Sequence, residues 1–461
     1  MNADAQTETA VRERPGATAE LFMAAASPRS PDIHLFESDD NFHLFVTNGS
    51  RLFDINPDLA SRFGAAISAG GVGELLARVG ADGPRLIDDA PLQPPPIHAL
   101  SLAVAQKCNL GCTYCYAQQG AFGGPAKDMP LATANRAVDL LLSEAGEGGK
   151  ATLAFLGGEP LVNRPVLQAV TQRAAELAHQ RGIALGFSIT TNGTLLNEAD
   201  AAFFETYGFA VTVSLDGPRE THDRLRPYKS GAGSFDRIMR NLWPMLARQR
   251  RMQVSARVTV TPDNLDLRRT LDDFIAAGFH SVGFSPVLSA PGGRGELRSE
   301  DLVRMLDGMI ECGRAFERRL ISGERYPFEN MVNAMREIHR GTHRPYPCGA
   351  GAGYLAVSAD GDLAACHRFV GDPEGAMGTL AAVDRDRQSR WLAERHVHLQ
   401  APCKECWARY LCGGGCHHEA IRRGRPACDY IRGWLHYCLT AYLRLSRQCP
   451  DWFAGATVQP S

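Results

Sequence analysis

The chain of 461 residues carries 49 Lys and Arg against 51 Asp and Glu, a formal net charge of −2, which gives no electrostatic basis for binding nucleic acid or an anionic membrane. Its 44% hydrophobic and 22% charged residues supply enough apolar material for sizeable cores, and its length predicts two or three domains. No apolar run approaches the roughly 18 residues of a membrane span, and the short patch at 21–26 follows Asp4, Glu8 and Glu13 rather than a basic segment, so neither a transmembrane helix nor a secretion signal is expected. Thirteen cysteines in such a chain read as metal or cluster ligands in a reducing compartment, and a cytoplasmic location is expected.

Residues 1–30 are rich in Ala, Glu, Arg and Pro without a hydrophobic period and read as a disordered tail. Residues 31–95 read as a small module and its linker. The runs 42–47 and 50–55 are strand-like and flank Asn48-Gly49, a dipeptide suited to the two positive φ angles of a type I′ hairpin turn. Asn56-Pro57 has the form of a helix cap with proline at the first helical position. Leu59, Phe63 and Ile67 recur at helical spacing, and a second short helix carries Leu75, Leu76 and Val79. Four prolines within 91–96 mark the linker. This strand–strand–helix–helix order resembles the winged-helix-like peptide-recognition domain of peptide-modifying enzymes, which implies capture of a leader segment as an added strand. A structural cap on the following domain is the other reading.

From 96 to 325, short β-type runs at 102–105, 152–156, 184–189, 210–215, 254–260 and 281–285 alternate with amphipathic helical runs. Six strand–helix units predict an α/β domain with parallel strands in a partial (β/α)6 barrel. The site of such a barrel lies at the carboxyl ends of its strands.

The loop after the first of these strands holds Cys108, Cys112 and Cys115. A [4Fe–4S] cluster normally takes four cysteines. Here the run stops at three and the next thiol is Cys312, which leaves one iron for a small molecule; half of a zinc site is the alternative. C-x3-C-x2-C with Tyr114 before the last cysteine resembles the signature of radical S-adenosylmethionine (SAM) enzymes. The resemblance implies that SAM binds the open iron and that electron transfer from the reduced cluster yields a 5′-deoxyadenosyl radical. It also implies cofactor-binding roles at the strand ends. Gly157 and Gly158 would admit the methionine moiety and Glu159 would take its ammonium; Asn192 ends the third strand, and Ser214 and Asp216 would lie near the ribose. Arg226 would grip the SAM carboxylate, and Tyr114 and Val287 would flank the adenine. Turn formation and a solvated ion pair are the structural alternatives. Tyr116, Gly123 and Gly124 read as packing and turn.

From 347 the composition shifts to Cys and Gly: Cys348, Cys366, then Cys403-x2-Cys406-x5-Cys412-x3-Cys416, and Cys428. This array resembles the seven-cysteine SPASM module, which implies two auxiliary iron–sulfur clusters in a C-terminal domain over 326–461. Carried over, Cys348, Cys366 and Cys416 hold the first, and Cys403, Cys406, Cys412 and Cys428 the second. Two cubanes want eight thiolates and the array holds seven, so either the first auxiliary cluster has an open iron or Cys438 completes it. Cys438 could also replace Cys428. Cys312 reads as a core thiol, Cys449 as unliganded, and His367, His417 and His418 as neighbours of cluster cysteines rather than ligands.

Together the chain resembles radical SAM/SPASM peptide maturases. That implies three [4Fe–4S] clusters, SAM, an external electron donor, and a peptide or small protein substrate with a leader segment. The segments 117–120, 403–416 and 428–432 most resemble thioether-forming maturases. A sulfatase maturase is the second reading, although many of these carry Asp where this chain has His367; a zinc-stabilised peptide-binding adaptor is a third, non-enzymatic one.

Overall fold

The computed structural model describes residues 16–456. Its first element is a helix, α1 (Ala17–Ala25), where disorder was expected; residues 1–15 of that expected tail lie outside the described residues. The helix is held from outside. Ala19 and Ala26 are buried, the Ala19 N–H donates to Asp307 Oδ1 at 2.7 Å, and Phe22 meets Tyr437 edge-on. Nine residues are too few for a period to show.

The module that follows has three strands rather than two: β1 (Ile33–Ser38), β2 (Asn41–Val46) and β3 (Arg51–Ile55), antiparallel in that order. The two-residue turn with both φ angles positive is Asp39-Asp40 (50° and 59°), closed by the pair Ser38 and Asn41. Around Asn48-Gly49 the closing pair is Val46 and Arg51, so that loop has four residues, with positive φ at Gly49 and Ser50. Asn48 is instead tied to the linker: its amide donates to the Gly83 and Pro84 carbonyls and its oxygen accepts from Leu86 N–H. Asn56 caps α2 (Pro57–Ala69) by accepting from Leu59 N–H at 2.8 Å, and α3 (Val72–Arg78) follows. Leu44, Val46, Phe63, Leu75 and Leu76 close a small core of their own.

The alternation after residue 96 folds as expected into a partial (β/α)6 barrel. Its parts are β4 (Ala99–Gln106), β5 (Lys127–Asp128), α4 (Leu131–Ala145), β6 (Lys150–Gly157), α5 (Arg164–Gln180), β7 (Ala184–Thr191), α6 (Glu198–Tyr207), β8 (Ala210–Ser214), α7 (Arg219–Leu225), α8 (Phe235–Arg248), β9 (Gln253–Val260), α9 (Leu267–Ala276), β10 (Ser281–Pro286) and α10 (Ser299–Ile321). Strands β4, β6, β7, β8, β9 and β10 are parallel in that order. Period two sorts their side chains. Along β9, Val254, Ala256, Val258 and Val260 are buried towards the helices, while Arg257 and Thr259 face the barrel interior. Thr190, Thr212, Ser214 and Ser285 do the same on the neighbouring strands. Small hydroxyl side chains leave an open, polar interior where a closed barrel would be packed with branched apolar ones.

The barrel sheet does not end at β4. After α11 (Glu329–His339), β11 (Tyr354–Val357) pairs parallel with β4, and β12 (Asp362–Ala364), β13 (Ala376–Thr379) and β14 (Ala382–Val383) continue antiparallel. The chain then runs through α12 (Arg385–Arg395), α13 (Arg409–Cys412), α14 (His417–Arg423), α15 (Cys428–Gln448) and α16 (Pro450–Ala456). The cysteine-rich segment is thus joined to the barrel by main-chain hydrogen bonds along the first half of β4, the strand that leads into the Cys108 loop. At the other edge, Asn330 of α11 pairs with both main-chain groups of Phe284 on β10, so residues after 326 also close the barrel's open side. Helix α15 packs on α1, α10 and α11. Among the described residues no helix is long and apolar enough to cross a membrane.

Candidate active site

Strand β4 delivers the chain into the Cys108 loop, which is pinned against the segment after α7. Gly111 N–H donates to the Pro227 carbonyl at 2.8 Å and Thr113 N–H to the Leu225 carbonyl at 3.0 Å. Cys108, Cys112 and Cys115 all line one cavity of about 550 Å³, within the range of small-molecule sites. Burial pushes the Cys112 thiol up to about 12, against the pull of Arg226. Leu110 N–H and the Asn192 amide both donate to the Cys108 sulfur, at 3.4 and 3.6 Å.

The expected cofactor residues divide into two groups. Tyr114, Gly157, Gly158, Asn192, Ser214, Arg226 and Val287 line the cavity, and Tyr114, Leu225 and Val287 form a small apolar cluster of their own. Glu159 and Asp216 are fully buried and are not among the cavity-lining residues. The Glu159 carboxylate is spent on protein donors: Oε1 accepts from the Thr191 hydroxyl at 2.7 Å and Leu161 N–H at 3.1 Å, and Oε2 from Asn192 N–H at 2.7 Å. The carboxylate expected to take the SAM ammonium thus also ties the end of β6 to the end of β7 and so aims Asn192. Burial raises its pKa despite those three bonds. Asp216, expected near the ribose, accepts from the Tyr114 hydroxyl and, at 3.1 Å, from Thr259 N–H. Burial raises its pKa, outweighing Arg226, whose guanidinium lies 3.8 Å away.

The glycines that line the cavity also allow a close approach within the protein. A Cβ on Gly158 would stand 2.4 Å from the Lys107 carbonyl oxygen and 2.7 Å from Gly120 Cα, so the two glycines meet back to back. They bring the strand end and the cysteine loop together, and the cavity runs along both. Arg226 donates from Nη1 to the Tyr114 hydroxyl at 2.5 Å, while its buried Nε has no protein partner. A buried orphan donor beside three thiols suits an anionic ligand. These features fit SAM with a cluster at the thiol end.

Two further thiol sets stand in the C-terminal segment. Cys348, Cys366 and Cys416 act on one another electrostatically, and burial pushes Cys366 up to about 12. Cys403, Cys406, Cys412 and Cys428 form the second set; burial is again the leading cause, raising Cys412 to about 11. Among the described residues no group of three or more His, Cys, Asp or Glu side chains stands close enough to hold a single metal ion. Cys438 belongs to neither set. It is fully buried on α15, where Glu317 of α10 acts on its thiol, ten residues along the helix from Cys428, about 15 Å by helical rise. Cys312 is fully buried on α10, and Cys449 caps the end of α15.

Several cavity residues went unread in the sequence. Arg257 donates to Ser285 Oγ at 3.0 Å and faces the interior, half exposed. Arg368 and Glu419 line the same cavity on the side of the Cys366 set, together with His367, expected there as a neighbour of Cys366. His367 Nδ1 bonds the Tyr354 hydroxyl at 3.1 Å, which bonds Ser101 Oγ at 2.9 Å; burial lowers the imidazole to about 4. His417 packs on Trp391 and His418 on Phe369. Tyr116, taken as packing, lies under the Arg368 guanidinium at 5.5 Å and lines both this cavity and an outer groove. An arginine two residues after a cysteine carries no spacing signal of its own.

Residues 102–275 match the model of the radical SAM superfamily, so the barrel is a radical SAM domain. Over 74% of its length the chain is 26% identical to the serine-type anaerobic sulfatase-maturating enzyme of Klebsiella aerogenes, covering 85% of that enzyme. Among solved structures it resembles anSMEcpe with bound AdoMet, with a TM-score of 0.65 and 21% identity over 78% of this chain and 98% of that one. It also resembles Streptococcus suis SuiB bound to precursor peptide SuiA, with a TM-score of 0.52 and 15% identity over 86% of this chain and 97% of that one. At these identities the structures show the shared fold.

Proposed function

We propose that the chain modifies a ribosomally made peptide or small protein subunit by radical SAM chemistry, joining a cysteine sulfur to a carbon of a nearby acidic residue as a thioether. When bound, SAM and a reduced [4Fe–4S] cluster supply a 5′-deoxyadenosyl radical, which takes hydrogen from an unactivated carbon. The observation that carries the thioether reading is the size of the set Cys348, Cys366 and Cys416: three thiols gather, and Cys438, the one candidate to complete them, lies in helix packing. A three-thiolate set suits a group with a position left for an outside thiol, and metal ligation lowers a thiol's pKa. The guanidinium group of Arg257 lines the cavity and suits a substrate carboxylate. We base crosslinks from Cys to Asp or Glu on a resemblance of the segments 117–120, 403–416 and 428–432 to the maturation protein of quinohemoprotein amine dehydrogenase.

The N-terminal sheet supports a leader-binding role. His34 of β1 stacks on Trp407 at 4.1 Å, whereas β3 is an open edge with Phe53 exposed. An added strand at β3 would satisfy that edge. SuiB, solved with its precursor peptide, shares the fold. Three [4Fe–4S] clusters, an external electron donor and a cytoplasmic location belong to the same proposal.

Formylglycine formation is the second reading, favoured by the similarity to sulfatase-maturating enzymes. The histidine at 367 and the N-terminal sheet weigh against it. Metal analysis of anaerobically purified protein tests the cluster basis of both readings. About twelve irons per chain are expected, falling by about four when Cys108, Cys112 and Cys115 are replaced together by Ala. Zinc in place of iron, or loss of all iron in that variant, contradicts it.

A further inference from the structure

Between the cofactor cavity and the set Cys348, Cys366 and Cys416 stands a single ion pair. The Arg368 guanidinium lies 4.0 Å from Cys416 Sγ through Nη1, which also donates to Glu419 Oε1 at 2.8 Å; Nη2 donates to the Ser289 carbonyl at 3.1 Å. It stacks over Tyr116 at 5.5 Å, and Tyr116 in turn feels Cys115 on one side and Cys366 on the other. Arg368 and Tyr116 therefore stand in contact with each other while Arg368 reaches Cys416 and Tyr116 feels Cys115. The Arg368 and Glu419 side chains are only 18% and 14% exposed, so water and salt screen these charges weakly. Arg368 touches a thiol of the set directly, and Glu419 reaches it through the guanidinium.

We propose that Arg368 is a positioning charge that raises the reduction potential of the centre held by Cys348, Cys366 and Cys416, with Glu419 opposing it. The inference rests on the cluster reading above. A cluster gains negative charge on reduction, so a neighbouring cation and its N–H donors favour the reduced form and a neighbouring carboxylate disfavours it. The guanidinium is always charged, so its effect does not depend on pH in the working range.

The test is an EPR-monitored redox titration of the full-length, anaerobically reconstituted protein. It uses the background in which Cys108, Cys112 and Cys115 are Ala, so that auxiliary signals are read alone. Arg368→Gln is expected to lower the midpoint of one auxiliary signal, Glu419→Gln to raise the midpoint of the same signal, and Arg368→Lys to restore part of the first shift. The other auxiliary signal stays where it was. Should Arg368→Gln shed iron, Glu419→Gln, which leaves the guanidinium in place, decides the matter. Unmoved midpoints, or shifts of the same sign in the Arg and Glu variants, overturn the proposal while leaving the cluster reading intact. A wild-type protein with no auxiliary signal overturns both.

Discussion

The side-chain amide of Asn192 donates to the sulfur of Cys108 across 3.6 Å, linking the end of the third barrel strand to the first thiol of the radical SAM loop. The same amide donates to Asn109 Oδ1 at 2.9 Å, and its oxygen accepts from Thr194, so its orientation is settled on both sides. Asn192 thus serves the sulfur as well as lining the cavity.

Asn192→Ala removes a donor to a group that is charged when it ligates metal, a bond worth about 1.5–3 kcal/mol. The expected outcome is a lower reduction potential for the N-terminal centre and SAM cleavage slowed about tenfold or more. Anaerobic production of 5′-deoxyadenosine measures it, and an unchanged rate contradicts the role.

Glu159 and Arg226 should separate. Glu159→Gln presents an amide to backbone and hydroxyl donors that are buried and already aimed, which costs about 1–3 kcal/mol of folding stability. Arg226→Lys keeps a charge beside Asp216 but loses the planar fork, and SAM affinity should fall about tenfold or more. Thermal unfolding and equilibrium SAM binding distinguish the two. A Glu159→Gln protein of normal stability that no longer binds SAM would return the carboxylate to the cofactor.

The parts that were legible in the sequence are those where one period or one spacing governs. The six parallel strands follow from alternation. In the C-terminal segment Cys416 acts on Cys348 and Cys366 although it follows Cys412 by only four residues, whereas Cys403, Cys406 and Cys428 act on Cys412. What was not legible depends on tertiary partners. Helix α1 exists because α15 and Asp307 receive it. The β2–β3 loop around Asn48 has four residues and Asn48 is held by the linker, while the two-residue turn at Asp39-Asp40 joins β1 to β2 without a glycine to mark it. The three protein donors around Glu159, from Leu161, Thr191 and Asn192, likewise carry no sequence signal.

A buried imidazole pair gives the fold an acid limit. His34 Nε2 lies 3.0 Å from His436 Nδ1, between Trp407 and the rings of Phe22 and Phe36. Burial lowers His436 from 6.5 to about 4. The unfolded chain takes up this proton between those values and the folded chain does not, so stability rises with pH through that window and is lost as pH falls towards 4. The contribution is about 3 kcal/mol when complete. His436→Gln should therefore lose less melting temperature than the wild type between about pH 7 and pH 5, measured by thermal unfolding; parallel losses contradict it.

The most direct measurement of the thioether account is the mass of the product. A peptide substrate containing a leader, one Cys and a nearby Asp or Glu would be incubated anaerobically with the reconstituted enzyme, SAM and a reductant. The account predicts a product lighter by two hydrogens, with its sulfur retained, no thiol open to alkylation, and fragmentation that joins the Cys to the acidic residue. A product that has lost its sulfur and reacts as an aldehyde would contradict it and establish formylglycine formation instead.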